Sequence, residues 1–262
     1  QPVIIEPKAG ADGAIASEYV KQAAPDGYTL YYATNTGFCW VPATRKSPTY
    51  DPVADFTPVS MVGTFGFFLF AHPSAPVKSV GELIAYARAN PGKLNYGTGN
   101  STSMLSTAQL ALQEKLDMVH IPYKGDGPLS IDLLGGRVQL AIATPGTLAP
   151  QVKEGKLRAL ATLLPSRSPL LPEAPTMPEA GVAKLSITPW GALFGPAKMP
   201  REIVDRLARE MAVVLVKPEV KEALGKLAFE PHSSTPEALA AHLKEQIDVW
   251  KRTVQQVGIK PE

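Results

Sequence analysis

What most constrains this chain is an alternation. Short apolar runs with the look of strands are separated by stretches with helical three- and four-residue spacing, almost from end to end. Such a pattern selects an α/β fold over an all-α or all-β one. Val3–Glu6 reads as a strand, followed by the glycine-bearing loop 7–13 and a helix over about Ala14–Ala23. The turn residues Pro25, Asp26 and Gly27 stop that helix, and Tyr28–Ala33 reads as the next strand. Ser79 and Glu82 have capping-box spacing ahead of a helix with Leu83, Ile84 and Ala87 on its buried side, ended by Asn90-Pro91-Gly92. Strands are expected at Leu94–Gly97, Val119–Pro122, Val138–Ala143 and Leu157–Leu163. A helix running to about Lys115 follows the first of these, and a short one near Leu129–Leu134 follows the second. The proline-rich stretch Pro165–Pro178 lacks periodicity and reads as an ordered surface loop. Near the end, Ser234-Thr235-Pro236-Glu237 supplies cap, first-turn proline and capping glutamate for a helix whose Leu239, Leu243, Ile247, Trp250, Val254 and Val257 form one apolar stripe, expected to lie on a sheet.

The 262 residues suffice for one large domain or two lobes with separate cores, and 45% apolar content fits a folded globular chain. A net charge of +2 without runs of like charge argues against a nucleic-acid partner. No apolar run reaches the roughly 18 residues of a membrane helix; the longest, Phe65–Ala71, reads as a buried strand. Cys39 is the only cysteine, which excludes an internal disulfide and a multi-cysteine metal site.

Catalytic patterns fail in turn. No Gly-x-Ser-x-Gly elbow occurs, and Gly99-Asn100-Ser101-Thr102-Ser103 lacks its final glycine. The four histidines, His72, His120, His232 and His242, each have a structural or solvent-facing explanation. There is no His-x-x-x-His, calcium loop or phosphate loop, and Gly10 and Gly13 are only a fragment of a dinucleotide fingerprint. The chain is therefore expected to be no enzyme and to hold no metal or cofactor. The positive signal lies in three loops rich in Gly, Ser, Thr and Asn that each open a helix: Gly10–Ala14, Thr34–Gly37 and Thr98–Ser103. Free amides at helix starts hold carboxylate or phosphate without a charged side chain, and small hydroxyl residues add donors.

Several segments are similar to the Bug family, the extracytoplasmic binding receptors of tripartite tricarboxylate transporters. They are Gln1–Gly13, Ala23–Leu30, Ala89–Tyr96, His120–Gly125, Asp132–Gly136, Gly155–Ala161, and Trp190-Gly191 ahead of Gly195-Pro196-Ala197, in family order, and the resemblance extends from Gln1 to the final helix. The resemblance implies a two-lobed periplasmic-binding-protein (type II) fold with two crossing strands. One lobe would combine residues 1–70 and 192–262, the other would hold 71–191, and hinges would fall near Phe70 and Trp190. It also implies a carboxylate held in the interlobe cleft by amides, hydroxyls and water. Gly10, Gly13 and Ala14, with Thr34, Asn35 and Thr36, would supply one wall. Thr98, Gly99, Asn100, Ser101, Thr102 and Ser103 would supply the other, joined by Tyr123, Gly125, Ala143 and Thr144. Family members normally carry a strand–loop–helix unit ahead of the position of Gln1, so the resemblance implies a first lobe with its first βα unit missing. Many also carry an acid where Ala143 stands, which would suit an ammonium group; alanine there points to a plain or aromatic carboxylic acid over an amino acid, and a dicarboxylic acid is also within the implied class. The implied protein is a periplasmic monomer that passes a small organic carboxylate to membrane transporter subunits. A regulator's cytoplasmic effector-sensing domain of similar fold is the alternative, and it predicts an attached helix-turn-helix that the sequence does not display.

Overall fold

In the computed structural model, residues 2–187 and 189–261 are described; Gln1, Thr188 and Glu262 lie outside them, so the first residue of the Gln1–Gly13 family segment is not covered. Among them the chain forms α1 (Ala14–Lys21), β1 (Tyr31–Thr34), α2 (Val41–Thr44), β2 (Phe56–Phe65), β3 (Phe68–Ala71), α3 (Val80–Ala89) and β4 (Asn95–Thr98). Next come α4 (Ser101–Glu114), β5 (Val119–Pro122), α5 (Asp126–Leu134), β6 (Leu140–Ala143), α6 (Leu148–Lys153) and β7 (Arg158–Thr162). The last elements are β8 (Trp190–Pro196), α7 (Arg201–Leu215), α8 (Pro218–Gly225), β9 (Phe229–Pro231) and α9 (Pro236–Gln256). A 3-10 turn over Ala11–Gly13 precedes α1, and a π-helical segment over Thr36–Trp40 precedes α2.

The chain divides into two compact units. One comprises Gln1–Thr64, Trp190–Lys221 and Pro231–Glu262; the other comprises Phe65–Pro189 and Glu222–Glu230. The return of residues 222–230 to the second unit, through the middle of α8, has no counterpart in the sequence reading. Phe70 lies inside the second unit, whereas Trp190 is the first residue of the chain's return to the other unit.

Both sheets are mixed. The four-stranded sheet runs β1-β8-β2-β9, with β8 antiparallel to β1 and β2. Its inner face is aromatic: Phe38 packs at 4.7 Å from Phe56 and 4.8 Å from Phe194, ring centre to ring centre. The five-stranded sheet runs β5-β4-β6-β3-β7, with β4 parallel to β5 and β6, and β3 antiparallel to β6 and β7. All four residues of β3 are buried, as its central place requires, and Phe68 and Phe70 each contribute about 1.5–3 kcal/mol by leaving water.

Local signals set several boundaries. Ser79 Oγ accepts from the amide of Glu82 at 3.1 Å, as capping demands. The reciprocal bond differs from expectation: the Glu82 carboxylate takes the amide of Lys78, one residue further back than the cap. Thr235 Oγ1 caps α9 by accepting from Ala238 N at 3.1 Å. The α9 stripe is buried through Val254, but its main neighbours are α2 and the π-helical segment, where Trp250 meets Trp40 edge-on at 6.4 Å. Its touch on the sheet is His242 against Trp190 of β8, at 5.8 Å between ring centres.

One expected strand does not form. Val3–Glu6 has no regular structure, and Val3, Ile4 and Ile5 are 89%, 81% and 89% exposed. An extended segment becomes a strand by pairing its amides and carbonyls, and no described strand pairs with this one.

Candidate functional site

In the first unit, the two glycine-bearing loops meet. Gly10, Ala11, Asp12 and Gly13 all have positive φ (124°, 48°, 58° and 89°), so the chain coils left-handed before α1 begins. Glycine meets this demand freely, whereas at Ala11 and Asp12 the conformation costs about 1–2 kcal/mol each. Arg45 steadies the turn by donating from its guanidinium to the Ala11 carbonyl at 3.0 Å. Gly13 is needed for its φ of 89°, and a Cβ on Gly37 would press to 3.3 Å from the Tyr31 hydroxyl. Tyr31 Oη donates to Gly13 O at 3.3 Å, Ser17 Oγ bonds both Gly13 O and Tyr31 Oη, and Tyr50 Oη donates to Gly37 O. Burial pushes the Tyr31 hydroxyl up and that of Tyr50 up to about 12, so both remain protonated donors.

The predicted residues here have distinct placements. Ala14 is buried in the first turn of α1, and neither Gly10 nor Gly13 is replaced by a side-chain cap, so no side chain caps the start of α1. Thr34 closes β1. Asn35 is buried, and its Oδ1 accepts from the amide of Trp190 at 3.2 Å, tying the second loop to β8. Thr36 opens the π-helical segment in place of an ordinary α-helical start.

In the second unit, three loops converge on a carboxylate. Asp126, the first residue of α5, accepts from Asn100 Nδ2 at its Oδ1 and from Thr144 Oγ1 at its Oδ2, each at 2.9 Å. The loops after β4, β5 and β6 are thereby joined through one side chain. Gly99 is essential to the approach: a Cβ there would stand 2.3 Å from Asp126 Oδ1 and 2.7 Å from Asp126 N. Asn100 also caps α4, its Oδ1 accepting from Ser103 N at 2.9 Å. Ser101, Thr102 and Ser103 are buried in the first turn of α4, and Ser103 Oγ has no partner among the described residues.

Other predicted side chains turn into the fold. Thr98 Oγ1 shares a 2.7 Å hydrogen bond with His120 Nε2, and His120 stacks on Tyr96 at 5.0 Å. Burial holds the His120 imidazole below the usual histidine value, which keeps it neutral at pH 7. Tyr123 Oη donates to Asp132 Oδ2 at 2.8 Å. Gly125, at φ 102°, leads into α5, and Ala143 is fully buried opposite Phe68.

Asp126, Tyr31, Ser17 and Arg45 were missed in the sequence. Only Asp126 offered a signal, an acid flanked by Gly125 and Gly127 at a helix start. Among the described residues, no three His, Cys, Asp or Glu side chains gather to hold a metal ion, and no helix is long and apolar enough to cross a membrane. What the two clusters offer chemically is amides, hydroxyls and the Asp126 carboxylate.

Comparison with known proteins points the same way. Residues 1–259 match the profile of the family described as Tripartite tricarboxylate transporter family receptor. Protein BugT of Bordetella pertussis is 32% identical over 263 residues, covering 99% of this chain and 81% of its own. The structure of Rpa4515 from R. palustris with adipate superposes with a TM-score of 0.87 at 32% identity, covering 99% of this chain and 87% of that one. MatC from Rhodopseudomonas palustris, with bound malate, gives a TM-score of 0.77 at 29% identity, covering 94% and 85%.

Proposed function

The chain belongs to the tripartite tricarboxylate transporter receptor family, and from that premise we propose that it captures a small organic carboxylate in a cleft between its two units and delivers it to a membrane transporter. The observation that carries this reading is that each unit, taken by itself, gathers helix-opening loops. The start of α1 has no side-chain cap in the first, and the starts of α4 and α5 are linked through Asp126 in the second. Unpaired amides at a helix start bear partial positive charge and suit an anion. Two similar proteins hold adipate and malate, both small dicarboxylates.

In the proposed mechanism the ligand bridges Gly10–Ala14 and Thr34–Thr36 on one side and Thr98–Ser103, Tyr123–Gly125 and Ala143–Thr144 on the other. Closure of the units about hinges that include Phe70 and Trp190 selects the liganded form, which the transporter then recognises. Each charge-assisted hydrogen bond contributes about 1.5–3 kcal/mol, so a handful supports micromolar affinity after ordering costs. The place of action is the periplasm, where the receptor works as a monomer. Calorimetric titration with mono-, di- and tricarboxylates tests the reading. At least one should bind with micromolar or tighter Kd; tight binding of a non-acidic solute with no response to any acid would refute it.

A further inference from the structure

Within the second unit, β4 runs parallel to both β5 and β6, so the loops after all three leave the same end of the sheet. Sharing an end does not hold loops still. The start of α5 is bracketed by Gly125 and Gly127, and a Cβ on either would meet nothing within 4 Å. Glycine backbone has the most freedom to lose on ordering. The half-buried Asp126 between them ties this stretch to both neighbours, through Asn100 Nδ2 in the loop after β4 and Thr144 Oγ1 in the loop after β6. Capping of α4 sets which end of the Asn100 amide faces the carboxylate: Oδ1 accepts from Ser103 N, which leaves Nδ2 for Asp126.

Both donors to Asp126 are neutral, and Lys124, two residues earlier, is exposed and is not one of them. The arrangement therefore depends on the reach and hydrogen bonding of the side chain more than on its charge. An asparagine at 126 can accept from Asn100 Nδ2 and donate to the Thr144 hydroxyl, which carries lone pairs of its own.

From these bonds, all inside one unit, we infer that Asp126 is a positioning residue: it fixes the loops after β4 and β6 against the start of α5 independently of any ligand. Given the carboxylate-receptor reading, on which its bearing on affinity rests, the binding loops of this unit are then ordered in advance and the ligand is spared that cost.

Hydrogen exchange and titration of the intact protein test this, with wild type beside Asp126→Ala and Asp126→Asn and thermal melts to confirm folding. In Asp126→Ala without ligand, peptides spanning 98–104 and 143–149 should exchange about tenfold or more faster than in wild type, while α3 and β7 keep their rates. Asp126→Asn should restore wild-type exchange in both peptides. Thr144→Val, a milder change, should loosen 143–149 alone and add nothing when combined with Asp126→Ala. Adipate and malate are the titration probes: whichever wild type binds should bind Asp126→Ala about tenfold more weakly, and Asp126→Asn at least as tightly as wild type. Loops that exchange at the wild-type rate in a folded Asp126→Ala, or alanine and asparagine variants that exchange alike, would overturn the inference. So would loosened loops with undiminished affinity. The exchange results are read without ligand, so they decide the positioning role even where neither probe binds; failure of every carboxylate to bind wild type sinks the receptor reading alone.

Discussion

At the scale of residues, neutrality is a condition of the packing around two histidines. Burial lowers the pKa of both His120, stacked on Tyr96, and His242, packed edge-on to Trp190. The unfolded chain takes up a proton near the ordinary value of 6.5, while the folded chain resists until lower pH. Between those points the unfolded state binds more protons, so stability is full above about pH 6.5 and falls as the solution is acidified. Urea unfolding at pH 7.5, 6.5 and 5.5 should show this decline, and His242→Phe should flatten it. An equal slope in that variant would assign the acid sensitivity to other groups. The residue scale is also where sequence reading was weakest. Gly99 was visible as a loop glycine, but its reason, the carboxylate of Asp126 pressed against it, comes from a residue 27 positions later. Tyr31 gives no local sign that its hydroxyl will reach back to the Gly13 carbonyl.

At the scale of elements, local chemistry was legible wherever it is self-contained. Ser79 and Thr235 cap helices because the donors they satisfy lie three residues away in sequence. The stripe on α9 was equally readable, since burial follows from spacing. Val3–Glu6 failed because β-composition is local but strand pairing is not. Likewise the stripe's partner proved to be mainly α2 and the π-helical segment, which no spacing in α9 could reveal. Caps of equal quality should differ in consequence. Ser79→Ala should cost about 1 kcal/mol of stability and leave ligand affinity unchanged, since α3 contributes nothing to the candidate site. Asn100→Ala should cost a similar amount and also weaken binding, because Asn100 both caps α4 and bonds Asp126. Denaturation paired with titration separates the two, and equal affinities for both variants would remove the loop after β4 from the site.

At the scale of the molecule, family membership supplied what periodicity could not. Alternation leads to α/β and stops there, since it carries no information on which strands share a sheet. The mixed sheets depend on β3 and β8 running against their neighbours, and on a chain that returns to the second unit at Glu222–Glu230. Capture of the ligand by closure of the units is the claim on which the proposed function turns. Cys39, the only cysteine, is buried, so spin labels can be placed selectively at Tyr28→Cys and Ile131→Cys, exposed positions in different units. The most direct test is the interspin distance distribution with and without a binding carboxylate. The account predicts a shift to a single, narrower distance on saturation; a saturated protein with an unchanged distribution would contradict it.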